Sequence, residues 1–168
     1  MSEAQVNIIS SLSEEEVAEI EAEIACLPNR HSAAIDALKI VQSYRGWISD
    51  ESLAAIARLL DMSVDELDGI ATFYNLIFRK PVGEKIILVC DSVSCWIMGC
   101  EAINSRITKR LGINPGETTA DGKYTLIPIT CLGDCDHAPV MMIDKELHHD
   151  LTVDSIDELF DVDAGGES

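Results

Sequence analysis

The sequence predicts an α+β chain, with a helical bundle in the N-terminal half followed by a compact α/β unit. Three observations carry this reading. Up to about residue 77, apolar residues recur at helical spacing behind Ser-x-x-Glu pairs such as Ser13 with Glu16 and Ser63 with Glu66. The punctuation then changes at "RKPVGEK", where Pro81 and Gly83 break the pattern. Beyond it, the branched runs "KIILVC", "YTLIPI" and "VMMID" read as short strands around one helical segment.

The first helix opens at the Ser13–Glu16 box, carries Val17, Ile20, Ile24 and Leu27 on one face with Cys26 inside that stripe, and stops at Pro28. Ser32 is expected to cap a second, with Ile35, Leu38 and Val41 inward and a stop near Gly46, after which Trp47 should pack between helices. Ser49 or Asp50 opens a third, striped by Leu53, Ile56, Ala57 and Leu60, and Ser63 opens a fourth, "VDELDGIATFYNLI". In the second half, "KIILVC" is a buried strand and a single helix is expected from about Trp96 to Leu111, closed by Gly112. "YTLIPI" follows the Asp121-Gly122 turn, and "VMMID" follows Pro139. Thr152 then caps a last helix with Val153, Ile156, Leu159 and Phe160 inward. The expected domains are 1–80, helical, and 81–161, α/β, with 162–168 a disordered acidic tail.

A chain of 168 residues buries a core without needing disulfides or metal. Its longest apolar runs are too short to span a bilayer, so no direct membrane insertion is expected. The acidic N-terminus lacks the basic and apolar regions of a secretory signal, which places the six cysteines in a reducing compartment. A net charge of −18 with no basic face argues against nucleic acid as a partner. The acids crowd the first helix and the last forty residues, as solvated faces or as the surface of a chain that meets a basic partner.

The chemistry lies in the cysteines. "VCDSVSCWIMGC" places Cys90, Cys95 and Cys100 at equal steps, and "TCLGDCDHAP" adds Cys131 and Cys135 in a C-x3-C pair. Cys90 ends a strand, Cys95 begins the next helix or precedes it, and Cys131 and Cys135 occupy the loop between two strands. Cys100 should fall one turn or more inside the helix. Two such loops can converge and surround one small object. Structural zinc sites favour C-x2-C knuckles, and a thioredoxin-type disulfide needs C-x-x-C; neither spacing occurs here. A 2Fe–2S cluster separates its two irons and suits wider loops, but plant-type ferredoxins add a C-x2-C step that is missing, and a Rieske centre needs two histidines. Spacing therefore favours the cluster, leaving zinc and unrelated cysteines open. Trp96 and Met98 either wall such a centre or belong to the core. His137 reads as a loop residue beside it rather than a ligand, Asp134 and Asp136 as solvated neighbours, and His148 and His149 as exposed.

Taken together, "ALKIVQSYRGWIS", "GIATFYNLIFRKPVG", "CDSVSC" and "CLGDCDHAPVMMI" closely resemble the E subunits of NADH:quinone oxidoreductase, respiratory complex I, over about residues 30 to 160. The resemblance implies a helical domain followed by a thioredoxin-like domain with one 2Fe–2S cluster on Cys90, Cys95, Cys131 and Cys135, leaving Cys100 and Cys26 spare. It also implies an electron-transfer role within an NADH dehydrogenase of several subunits, inactive alone. FMN and NADH would be held by a partner flavoprotein subunit, with other peripheral-arm subunits around it on the cytoplasmic side of the inner membrane. The chain itself has neither G-x-G-x-x-G nor a P-loop to hold NADH or FMN. The same family also serves soluble NAD-linked hydrogenases and formate dehydrogenases. A reading of another class is a zinc-stabilised interaction module.

Overall fold

A computed structural model describes the backbone of residues 11–164 and the side chains of 11–160. The chain divides into two compact units at Pro81–Val82.

The first unit is helical. Helix α1 spans Glu14–Ala25, and Ser13 and Glu16 satisfy each other's orphan N–H groups in a reciprocal capping box. Cys26 is the C-cap and is exposed, so it lies outside the apolar stripe rather than within it. Asn29, not Ser32, caps the next segment: a 3-10 turn, Arg30–Ala33, runs directly into helix α2, Ala34–Arg45, whose own start has no side-chain cap. Helix α3 spans Asp50–Leu59 behind Ser49. Helix α4 spans Val64–Phe73 behind the Ser63–Glu66 box. It stops short of the expected "YNLI", because that segment leaves the helix to pair elsewhere. Ile48 N–H donates to Phe78 O at 2.7 Å, and the Gln42 side chain donates to Leu76 O at 2.9 Å and accepts from Phe78 N at 2.6 Å. Ile20, Leu38, Ile48, Ile56, Leu60 and Leu67 are fully buried in this core, each stabilising it by roughly 1.5–3 kcal/mol relative to exposure. Trp47 is half-buried; its neighbour Ile48 is the residue that enters the core.

The second unit is a four-stranded mixed sheet in the order β2-β1-β3-β4, with strands β1 Lys85–Cys90, β2 Tyr124–Ile129, β3 Met141–Ile143 and β4 Glu146–His148. β1 and β2 are parallel, so the chain must cross over between them. The crossover is helical: α5, Val93–Ile97, then α6, Cys100–Leu111, which buries Ile103 and Ile107. The single helix expected here is broken at Gly99, which sits at φ +92, a conformation that ends α5 and lets α6 start in a new direction. Cys100 is consequently the first residue of α6, not one turn inside it. The strand expected in "VMMID" is half of a hairpin, since β4 returns antiparallel after a turn with Asp144 at φ 51. β4 escapes the sequence pattern because its three residues are too few to show alternation. Pro128 is tolerated in β2 because β2 is an edge strand. Helix α7 spans Val153–Ala164, so the chain is still helical three residues into the expected tail; 165–168 lie outside the described residues. Tyr124 and Phe160 meet edge to face at 5.6 Å, and Arg106 on α6 holds Asp157 on α7 through both guanidinium arms.

Candidate metal centre

The parallel pairing of β1 and β2 builds this site. Cys90, the last residue of β1, lies opposite Ile129, the last residue of β2. Both strands therefore release their loops at the same edge of the sheet. The loop after β1 turns into α5 and carries Cys95; the loop after β2 carries Cys131 and, at the start of a 3-10 turn, Cys135. The four sulfurs form two pairs. Cys90 and Cys95 lie close enough for each thiol to act on the other, and Cys131 Sγ lies 3.6 Å from Cys135 Sγ. The pairs face each other closely enough for the charge of Cys90 to act on Cys135.

The surroundings differ across the site. Cys90 and Cys95 are buried, while Cys131 and Cys135 are exposed. Burial pushes the Cys90 thiol up, but hydrogen bonds from the Ser92 hydroxyl and N–H, from Cys95 and from the Leu132 N–H outweigh it, and the thiol lies below its ordinary value. Burial and the bond that Cys95 gives to Cys90 push Cys95 up to about 11. Cys135 is raised by its bond to Cys131 and by that neighbour's charge.

Backbone donors point at the sulfurs. Gly133 N–H reaches Cys131 Sγ at 3.3 Å, and Gly133 attains this with φ +88, open to glycine without strain. Ser92 Oγ lies 3.2 Å from Cys90 Sγ.

This donor set fits two irons better than one zinc. In a tetrahedral zinc site with bonds of about 2.3 Å, all four sulfurs lie roughly 3.8 Å apart. Among the described residues, no three cysteine sulfurs lie within 4.8 Å of one another. Four cysteines that do not close into one tight group match a binuclear cage better.

Cys100 is buried and packs against Cys90, Cys95, Ala138 and Val140, and burial raises its thiol. Trp96 and Met98 neither wall the site nor join the core: with Val93 and Ile97 they form an apolar patch on and just after α5, 58–70% exposed. His148 is half-buried rather than exposed. Asp134 is not simply solvated, since its carboxylate meets His137 Nδ1 at 2.9 Å. The sequence points to N–H donors around Gly133 and at the helix opening near Cys95 but not to Ser92, for which a hydroxyl two residues after a strand-ending cysteine was the available signal.

Residues 20–162 match the family described as "Thioredoxin-like [2Fe-2S] ferredoxin". The E subunit of the NADH-quinone oxidoreductase of Pseudomonas aeruginosa is 46% identical over 162 residues, covering 94% of this chain and 98% of that protein. The Escherichia coli protein of the same name is 47% identical over 142 residues, 84% of this chain and 86% of that one. Among solved structures, an NAD+-reducing [NiFe]-hydrogenase in the air-oxidized state shares the fold, with a TM-score of 0.68 at 24% identity over 81% of this chain and 23% of that chain. The match spans both units and includes the loops that bring the two cysteine pairs together; this chain belongs to the family of NADH-quinone oxidoreductase E subunits, within the thioredoxin-like [2Fe-2S] ferredoxins.

Proposed function

We propose that this chain is the E subunit of an NADH-quinone oxidoreductase and passes single electrons between a flavin in a partner NADH-binding subunit and one 2Fe–2S cluster held by Cys90, Cys95, Cys131 and Cys135. The observation that carries the reading is the convergence of two cysteine pairs at one edge of the sheet. When bound, the cluster supplies a one-electron acceptor of low potential. The chain's own residues hold its sulfurs and temper its charge. The N–H group of Gly133 and the Ser92 hydroxyl aim positive dipoles at the sulfurs, where reduction adds negative charge. Burial of Cys90 and Cys95 keeps water from one side, while exposure of Cys131 and Cys135 leaves the other side within reach of a docked partner.

The FMN-binding partner is read as docking over the exposed pair and the apolar patch Val93, Trp96, Ile97 and Met98. The complex would stand on the cytoplasmic side of the membrane; among the described residues no helix is long and apolar enough to cross it. The test is spectroscopic. The purified chain should be red-brown, contain two irons, and give a 2Fe–2S EPR signal when reduced. A colourless protein holding one zinc would defeat the reading.

A further inference from the structure

A second group of ligating side chains lies just beyond the cysteines, and the cluster does not use it. Asp134, His137 and His149 each present one ligand atom, all within 4.8 Å of one another. We propose that they form a second cation site, for a divalent transition ion of zinc type, at the rim of the cysteine loop.

The geometry is close to what an ion requires. Ligands about 2.0–2.2 Å from a tetrahedral ion lie about 3.3 to 3.6 Å apart. His137 Nδ1 and Asp134 Oδ1 are 2.9 Å apart, and the two imidazole rings meet at 5.0 Å between centroids. Small rotations of these side chains, two of them exposed, bring the three ligand atoms to the separations an ion needs. The backbone holds the two loops together, with Asp150 N–H donating to His137 O at 2.7 Å and Leu151 N–H to Pro139 O at 3.1 Å.

A second observation is independent of that spacing. His149 Nδ1 lies 2.9 Å from Asp150 Oδ2, which orients the ring and leaves Nε2 available. A carboxylate on the distal nitrogen is the usual outer support of a metal-binding histidine. Two imidazoles and one carboxylate select zinc, copper or nickel over magnesium or calcium, and three protein ligands leave a position for water.

The test uses the full chain as purified, with its cluster, in a non-chelating neutral buffer. Zinc chloride is titrated calorimetrically while visible absorbance reports the cluster. One zinc should bind per chain without bleaching. His149→Ala and Asp134→Ala should each weaken binding at least tenfold with the far-UV spectrum unchanged, and His148→Ala, which removes a neighbour outside the group, should bind as the parent does. Undiminished binding by His149→Ala overturns the proposal. So does an equal loss in His148→Ala, or zinc uptake that occurs only as the cluster bleaches. A chain purified without iron would count against the cysteine reading alone. The dependence on His149 would then be read with cobalt, whose spectrum on nitrogen and oxygen ligands lacks the intense thiolate charge-transfer band.

Discussion

Cys90 and Cys95 are both buried, yet their thiols move in opposite directions, because one collects hydrogen bonds and the other donates one. Two irons shared by two such pairs need every one of the four sulfurs, and Cys100 stands outside both pairs. Replacing Cys90, Cys95, Cys131 or Cys135 with Ser should each strip or badly destabilise the cluster. Iron content and the EPR signal of the reduced protein check this, and an unchanged signal in any one variant removes that residue from the set. Cys100 is a small buried apolar group at the first position of α6. Cys100→Ala should keep full iron content and cost about 1 kcal/mol of packing, read from denaturant unfolding.

At the scale of elements, the capping box of α1 also ties that helix to α2. The Glu16 carboxylate is 2% exposed and receives both arms of Arg45, Nε at 2.6 Å and Nη2 at 2.6 Å, while accepting from Ser13 N–H at 2.6 Å. Burial pushes Glu16 up, but Arg45 and the Ser13 N–H together hold it below its ordinary value of 4.5. The folded carboxyl is thus the stronger acid. Its contribution is fully present above the unfolded value near 4.5 and is lost as the pH falls through the lower folded value. Stability should therefore be level with respect to this group at neutral pH and fall on acidification below about pH 4.5. Glu16→Gln should remove that part of the slope and cost roughly 1–3 kcal/mol, because Arg45 loses its charged partner. Urea midpoints of both proteins at neutral and acid pH are the measurement. A slope unchanged by the substitution would show that other carboxyls govern acid unfolding.

At the scale of the whole molecule, the chain lacks a glycine-rich phosphate cradle, and hydride transfer needs a two-electron acceptor. The isolated chain with its cluster intact should not oxidise NADH with ferricyanide or a quinone as acceptor. Adding the flavoprotein partner should start that oxidation, and stopped-flow absorbance of each protein alone and then mixed is the check. Rapid oxidation by the flavin-free chain would refute the carrier role. The patch of Val93, Trp96, Ile97 and Met98 sets a further expectation. Trp96→Glu should leave iron content unchanged but weaken association with the partner by about tenfold or more, as loss of an aromatic anchor does. Equal affinity in a binding titration would place the docking face elsewhere.

Local pattern alone determined the four bundle helices, three strands, the last helix and the cysteine spacing. Each of these follows from capping residues, apolar periodicity or motif order within a short window. Tertiary structure decided what depends on distant partners. The fourth helix ends at Phe73 because Phe78 and Leu76 bond to Gln42 on α2 and to Ile48 in the loop after it. The crossover helix breaks at Gly99, whose positive φ ends one helical segment and starts the next. In the sequence, C-x4-C and C-x3-C were two motifs separated by thirty-five residues. Parallel pairing that sets Cys90 beside Ile129 brings them to one edge of the sheet, because parallel neighbours release their following loops on the same side.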